Sequence, residues 1–201
     1  MKAAQKAVRS RPQGRPRSES SRVALLKAAY GLVKARPVGS ISTVEIARRA
    51  GVSTATIYRW WPNKEALLLD AFLSRTDSEL ALRREGAPLE NLREYVLQVG
   101  RSFTGESGIV AARLLAAIQD NATLRKEFLE RVYSPRDKEF RAMVKAAIRE
   151  RQLPAAIDVN LFLETIFGPL LLRLLLRQEP IDRAYALTVF KQVVAAYRRA
   201  Q

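Results

Sequence analysis

The chain has 201 residues, with 35 Lys/Arg against 20 Asp/Glu, a formal net charge of +15, and neither His nor Cys. Lacking those two residue types, it cannot be a zinc finger, a thiol redox protein, a disulfide-framed domain, or an enzyme with a cysteine nucleophile or a histidine base. A hydrophobic content of 48% is enough to bury a core, and the length suits one or two domains.

Residues 1–18 are polar and basic, and Pro12, Gly14 and Pro16 punctuate them. They are expected to form a flexible arm (1–19), and no apolar segment follows that would mark a secretory leader. A first helix is predicted from Ser20 to Ala35, with Leu25, Ala29, Leu32 and Val33 on one face. Arg36-Pro37 ends it, because proline disfavours helical geometry in the residue before it. A second helix runs from Ser42 to Ala50. Ser42 and Glu45 have capping-box spacing, and Gly51 closes the helix in a left-handed conformation. Ser53 is placed to cap a short helix, Thr54 to Trp60, which Pro62-Asn63 breaks. A longer helix follows, with Leu67, Leu68, Ala71 and Phe72 inward.

Beyond residue 85 the helices lengthen. Leu89–Phe103 is expected to bury Leu92, Val96, Val99 and Phe103, and Ile109–Gln119 to follow Gly105 and Gly108. Ala122–Arg151 carries a predicted interruption at Ser134-Pro135. Asp158 caps a very apolar helix reaching Arg177, with a predicted kink at Gly168-Pro169. Glu164 and Arg173 leave only eight uncharged residues between them, whereas a membrane span needs about 20. No membrane association is therefore expected. The last helix, Asp182–Arg199, presents Leu187, Phe190, Val194 and Tyr197. The predicted fold is all-α with about nine helices: a small basic N-terminal three-helix unit (20–66) and a larger helical body (67–201).

Charge is concentrated at one end. Residues 1–64 hold 14 Lys/Arg and two Asp/Glu, a balance of +12, which leaves +3 for the rest. Such a block attracts a polyanion, and nucleic acid is the commonest one. Within it, residues 42–60 read helix, glycine turn, short helix, the spacing of a helix-turn-helix whose second helix enters the major groove. Ile57 and Trp61 are the inward residues of the second helix. Thr54, Ala55, Thr56, Tyr58 and Arg59 face outward, while Trp60 fits either side. Small residues let a helix approach base edges, hydroxyls bond phosphates or bases, and arginine reaches guanine. Lys64 opens the next helix, where ammonium and helix dipole act on one phosphate.

The string from Ile46 to Leu67, with its Ile-Ala, Ala-Gly-Val-Ser, Ile-Tyr and Asn-Lys-Glu-x-Leu elements in order, closely resembles the N-terminal domain of the TetR family of bacterial transcriptional regulators. The resemblance covers residues 20–72, and Trp61 stands where the family commonly has phenylalanine. Phe167-Gly168-Pro169-Leu170 also resembles one branch of the family. The resemblance implies a homodimeric, ligand-responsive repressor on a palindromic operator in double-stranded DNA. Ser42, Thr43, Thr54, Ala55, Thr56, Tyr58, Arg59, Trp60 and Lys64 would then contact DNA. It also implies a dimer interface on the last two helices, carried by Phe167, Leu170, Leu171, Leu174, Leu175, Phe190 and Val194. The apolar helix supports this, since a helix apolar nearly all round must be covered on more than one side. A small-molecule pocket between the middle helices is implied as well, with Tyr95, Phe103, Arg113 and Phe128 as candidate lining. Gly14-Arg15-Pro16-Arg17 is similar to a minor-groove AT-hook core, so Arg15 and Arg17 are candidate minor-groove contacts. No metal, cofactor or catalytic residue is expected, and the compartment is the cytoplasm. The alternative function is a nonspecific or architectural nucleic-acid binder without an effector. Operator, effector identity and the sign of regulation are not written in the sequence.

Overall fold

The apolar periodicity resolves into nine helices among the residues described by the computed structural model, 19–76, 86–176 and 179–199. The expected arm, with Arg15 and Arg17, lies outside the described residues.

Helix α1 spans Glu19–Ala35 and buries Leu25, Ala29, Leu32 and Val33. A 3-10 turn, Val38–Ser40, follows Pro37. Helices α2 (Thr43–Ala50), α3 (Thr54–Tyr58) and α4 (Lys64–Thr76) complete the head, with α1 packed against α2 and α4. Ile46, Ile57, Trp61 and Leu67 fill the space between them. Helix α4 also packs on the body, so a division after residue 66 falls inside an element that serves both units.

Helix α5 spans Pro88–Ser102, with proline at the start, where its missing N–H costs nothing. Helix α6 spans Gly105–Ala117, four residues ahead of the predicted Ile109 start. Gly108 therefore lies in its first turn. A Cβ there would sit 2.1 Å from the Phe103 carbonyl oxygen. Gly108→Ala is expected to lower stability by about 1–3 kcal/mol, as overpacking against backbone does. A denaturant midpoint equal to wild type would contradict it.

Helix α7 comprises Ala122–Phe128, a π turn Leu129–Tyr133 and Ser134–Arg149. The α-helical pattern is thus interrupted just before Ser134-Pro135, and Pro135 lies in the first turn of the segment that resumes, but the predicted Ser134 cap is absent. Ser134 is helical and caps nothing, and the chain absorbs Pro135 by widening the preceding turn. A π turn relieves the clash between the proline ring and the carbonyl one turn earlier. Helix α8, Val159–Leu176, carries Gly168-Pro169 inside it without a break, and Asp158 caps it by accepting the Asn160 and Leu161 N–H groups at 2.8 and 3.2 Å. By length and composition α8 could cross a membrane. Here it packs on α6 and the last helix, burying Phe162, Ile166, Leu170 and Leu174. Helix α9, Arg183–Arg199, starts at Asp182, whose carboxylate accepts the Tyr185 N–H at 2.7 Å.

Candidate nucleic-acid interface and ligand cavity

The helix-turn-helix is built by local chemistry. Ser42 stands at the N-cap of α2 and accepts the Glu45 N–H at 3.2 Å. Among the described residues the Glu45 carboxylate pairs with Arg36 instead of closing the other half of the capping box. Gly51 ends α2 at φ +68°, a conformation glycine adopts without Cβ strain. Ser53 has N-cap backbone geometry but makes no cap bond. Its hydroxyl meets that of Thr56 at 3.1 Å, which corrects the predicted role.

Ile57 and Trp61 face the core, as their spacing predicts. Ser42, Ala55, Tyr58 and Arg59 are exposed, and Thr43, Thr54 and Thr56 are partly so. Arg59 and Trp60 lie just past the end of α3. Trp60 is half-buried, with the Arg22 guanidinium 5.7 Å from its ring centre, so it serves packing as well as surface. Lys64 reaches back from the first turn of α4. Its Nζ donates to the Ile41 carbonyl at 3.0 Å, one residue before the cap of α2. Asn63 caps α4 by accepting the Ala66 N–H at 2.7 Å. An ammonium group therefore bridges the N-termini of two helices, an arrangement suited to a phosphate.

A polar chain ties this head to the body. Trp61 Nε1 donates to Asp70 Oδ2 at 2.7 Å, and Arg131 of the π turn pairs with Asp70 Oδ1. Arg131 also meets Glu127 at 3.2 Å. Burial works against its charge, but the bonds and charges of Asp70 and Glu127 outweigh it, so its pKa is raised. Nearby, Asn121 donates to Glu65 at 3.1 Å, and Lys34 pairs with Glu106. Only the i,i+4 pair Arg131–Glu127 has a signature in local sequence; the contacts that reach from head to body have none.

A cavity of about 390 Å³ opens between α5, α6, α7 and α8. Tyr95, Phe103 and Phe128 line it. Arg113 does not. It donates to the Val33 carbonyl at 2.7 Å, because α6 presents this residue to the end of α1, where cations meet unpaired helix carbonyls. Phe167 and Leu171, assigned above to a dimer face, line the cavity instead. Val132, Tyr133, Arg136, Asp137 and Phe140 join them without having been anticipated. Phe140 and Phe167 pack edge-on at 5.2 Å, with Tyr95 6.0 and 6.4 Å from them. Burial, the largest influence on Tyr95, pushes its pKa up to about 12, so the hydroxyl is neutral at physiological pH.

The expected interface residues divide. Leu170, Leu174, Phe190 and Val194 are largely covered by the chain's own core, and Phe190 and Val194 line a shallow surface pocket on α9. The reason is geometric: α8 is apolar all round, so sequence cannot say which face its own body covers. The surface leucines are Leu161, Leu172, Leu175 and Leu176, each 50–57% exposed and aligned at helical spacing along α8.

Comparison with known proteins bears on both parts. Residues 25–71 match the family model for bacterial regulatory proteins, tetR family, and residues 83–193 match that of the tetracycline repressor-like C-terminal domain. The uncharacterized HTH-type transcriptional regulator YdeS of Bacillus subtilis is 31% identical over 187 residues, covering 91% of this chain and 94% of that protein. The HTH-type transcriptional regulator EthR of Mycobacterium tuberculosis is 34% identical over 95 residues, 46% of this chain and 44% of its own length. Among solved structures, the regulator FadR from Bacillus subtilis, in complex with stearoyl-CoA, superposes with a TM-score of 0.71 at 19% identity, covering 86% of this chain and 97% of that one.

Proposed function

This chain belongs to the TetR family of bacterial regulatory proteins and is a DNA-binding transcriptional regulator, and we propose that it acts as a homodimeric cytoplasmic repressor whose hold on a palindromic operator is released by a small apolar molecule. Thr54, Ala55, Thr56, Tyr58 and Arg59 meet the major groove, with Trp60 at its edge. Ser42, Thr43 and Lys64 hold the flanking phosphates. Arg15 and Arg17 add contacts in the adjoining minor groove. The second copy docks on α8 and α9 through Leu172, Leu175 and Leu176. No catalytic step is part of this function.

One observation carries the ligand response. The π turn Leu129–Tyr133 supplies Val132 and Tyr133 to the cavity wall, while its Arg131 grips Asp70, which in turn holds Trp61 behind the recognition helix. A molecule that fills the cavity and displaces the π turn therefore moves the support of the DNA-reading segment. That FadR has been solved with stearoyl-CoA supports the capacity of such a fold to hold a ligand. Occupancy would favour a spacing of the two heads that no longer matches successive major grooves.

Arg131→Gln tests the link. The pair is partly solvated, so the fold should survive its loss. Operator affinity is expected to fall about tenfold, within the range of ordinary allosteric coupling, because the untied head samples spacings that DNA does not accept. Fluorescence anisotropy on a labelled operator checks this. Wild-type affinity in a folded Arg131→Gln dimer would remove Arg131 from the mechanism.

A further inference from the structure

We propose that the cavity selects a lipophilic organic cation: an amine or quaternary ammonium on an aromatic or alicyclic body. The inference rests on the ligand cavity described above and adds the charge of its occupant.

The walls set the body. Phe72, Tyr95, Phe103, Phe128, Tyr133, Phe140 and Phe167 surround the space with aromatic surface. Such rings bind flat or alicyclic groups by dispersion, and their faces attract cations.

The polar groups set the charge. Asp137 lines the cavity, and its Oδ2 accepts from Arg141 Nε at 2.6 Å. Its Oδ1 is buried and has no hydrogen-bond partner among the described residues. A carboxylate oxygen out of water and without a donor carries an unpaid desolvation cost, and a ligand N–H can relieve it. Glu164, on the opposing helix α8, places a second carboxylate at the cavity. Arg136 is the one cation among the described lining residues, and its guanidinium is held along α7 by the Val132 carbonyl at 3.1 Å. Tyr95 brings a neutral hydroxyl that can donate or accept. The lining carboxylates thus outnumber the lining cations. An acyl carboxylate or a phosphate would meet Asp137 and Glu164 as like charges. An ammonium group would meet acceptors below and aromatic faces beside it.

Three probes with the same ring system separate the possibilities: 2-naphthylmethylamine, 2-naphthalenemethanol and 2-naphthoate. Their affinities for the full-length protein are measured by titration calorimetry, and operator release is followed in parallel. The amine is expected to bind about tenfold or more tighter than the acid, with the alcohol between them. Asp137→Asn should abolish the preference for the amine over the alcohol. Arg141→Gln, which breaks the ion pair but keeps the carboxylate, should preserve it and so exclude general destabilisation as the cause. Should Asp137→Asn fail to fold, Glu164→Gln, at an exposed position, is expected to lower amine affinity alone. Equal or tighter binding of the acid overturns the charge assignment. So does an amine affinity untouched by both carboxylate substitutions. If the alcohol binds and releases operator without any advantage for the amine, the charge assignment fails while the effector cavity stands. If none of the three binds, both fail together.

Discussion

Lys64→Ala is expected to weaken operator binding by at least about a hundredfold, because a dimer loses two charge-assisted phosphate contacts of about 1.5–3 kcal/mol each. The side chain leaves the start of α4 and reaches the Ile41 carbonyl, so its ammonium lies between the N-terminus of α4 and that of α2. Those ends bring partial positive charge and unsatisfied N–H groups to the same place. A phosphate there gains all three interactions, and the lysine is already held in position before DNA arrives. The loss should be uniform across sequences. The plot of log affinity against log salt should flatten by about two, one unit for each subunit. Arg59→Ala and Thr54→Ala should behave differently, changing which bases are preferred while leaving the salt slope nearer to wild type. A Lys64→Ala protein with an unchanged salt slope would show that its ammonium serves the protein interior alone.

Glutamate at two neighbouring positions of α8 should have opposite consequences. Leu174 is buried in the chain's own core, 5% exposed, whereas Leu175 is 50% exposed. Leu174→Glu places an unpaired carboxylate in a dry interior, which costs several kcal/mol and should unfold the subunit. Leu175→Glu leaves the subunit's own packing intact. In a twofold interface it appears twice and buries a charge in an apolar contact each time. Leu175→Glu should therefore be folded by circular dichroism, monomeric by sedimentation, and unable to hold a full operator at concentrations where wild type binds. The single head retains only its half-site contacts, and the loss of linkage should cost at least about a hundredfold. A Leu175→Glu protein that sediments as a dimer would move the interface off this face of α8.

The head could be read from sequence because its structure is local. Pro37, Ser42, Gly51 and Asn63 each act within a few residues, through a restricted dihedral, a cap or a left-handed turn. The inward and outward faces of α3 followed from Ile57 and Trp61 alone, and the structure agrees on both. The body was legible only in outline. Pro135 signals a disturbed helix, but a break and a π turn satisfy the same missing N–H, and tertiary packing chooses between them. Asp70 and Arg131 are 61 residues apart, and nothing in either neighbourhood announces the pair. Arg113 reads equally well as a cavity residue and as a cap on a distant helix end. The apolar excess of α8 marks a helix covered on more than one side. It does not say that Phe167 and Leu171 turn to a cavity, Leu170 and Leu174 to the core, and Leu172 and Leu175 to the surface. Asp137 shows its i,i+4 partner Arg141 in sequence, but not the unpaired oxygen at a cavity lined by seven aromatic rings.

Selecting bound duplexes from a random pool with wild type, Arg59→Ala and Leu175→Glu in parallel puts the recognition segment and its duplication to one test. Wild type should enrich an inverted repeat whose half-sites present one face of the major groove. Arg59→Ala should enrich a repeat of the same symmetry and spacing with altered bases. Leu175→Glu should enrich a single half-site or nothing. An asymmetric or featureless wild-type consensus, or an Arg59→Ala consensus identical to it, would contradict base reading by the segment after Gly51 in two linked copies.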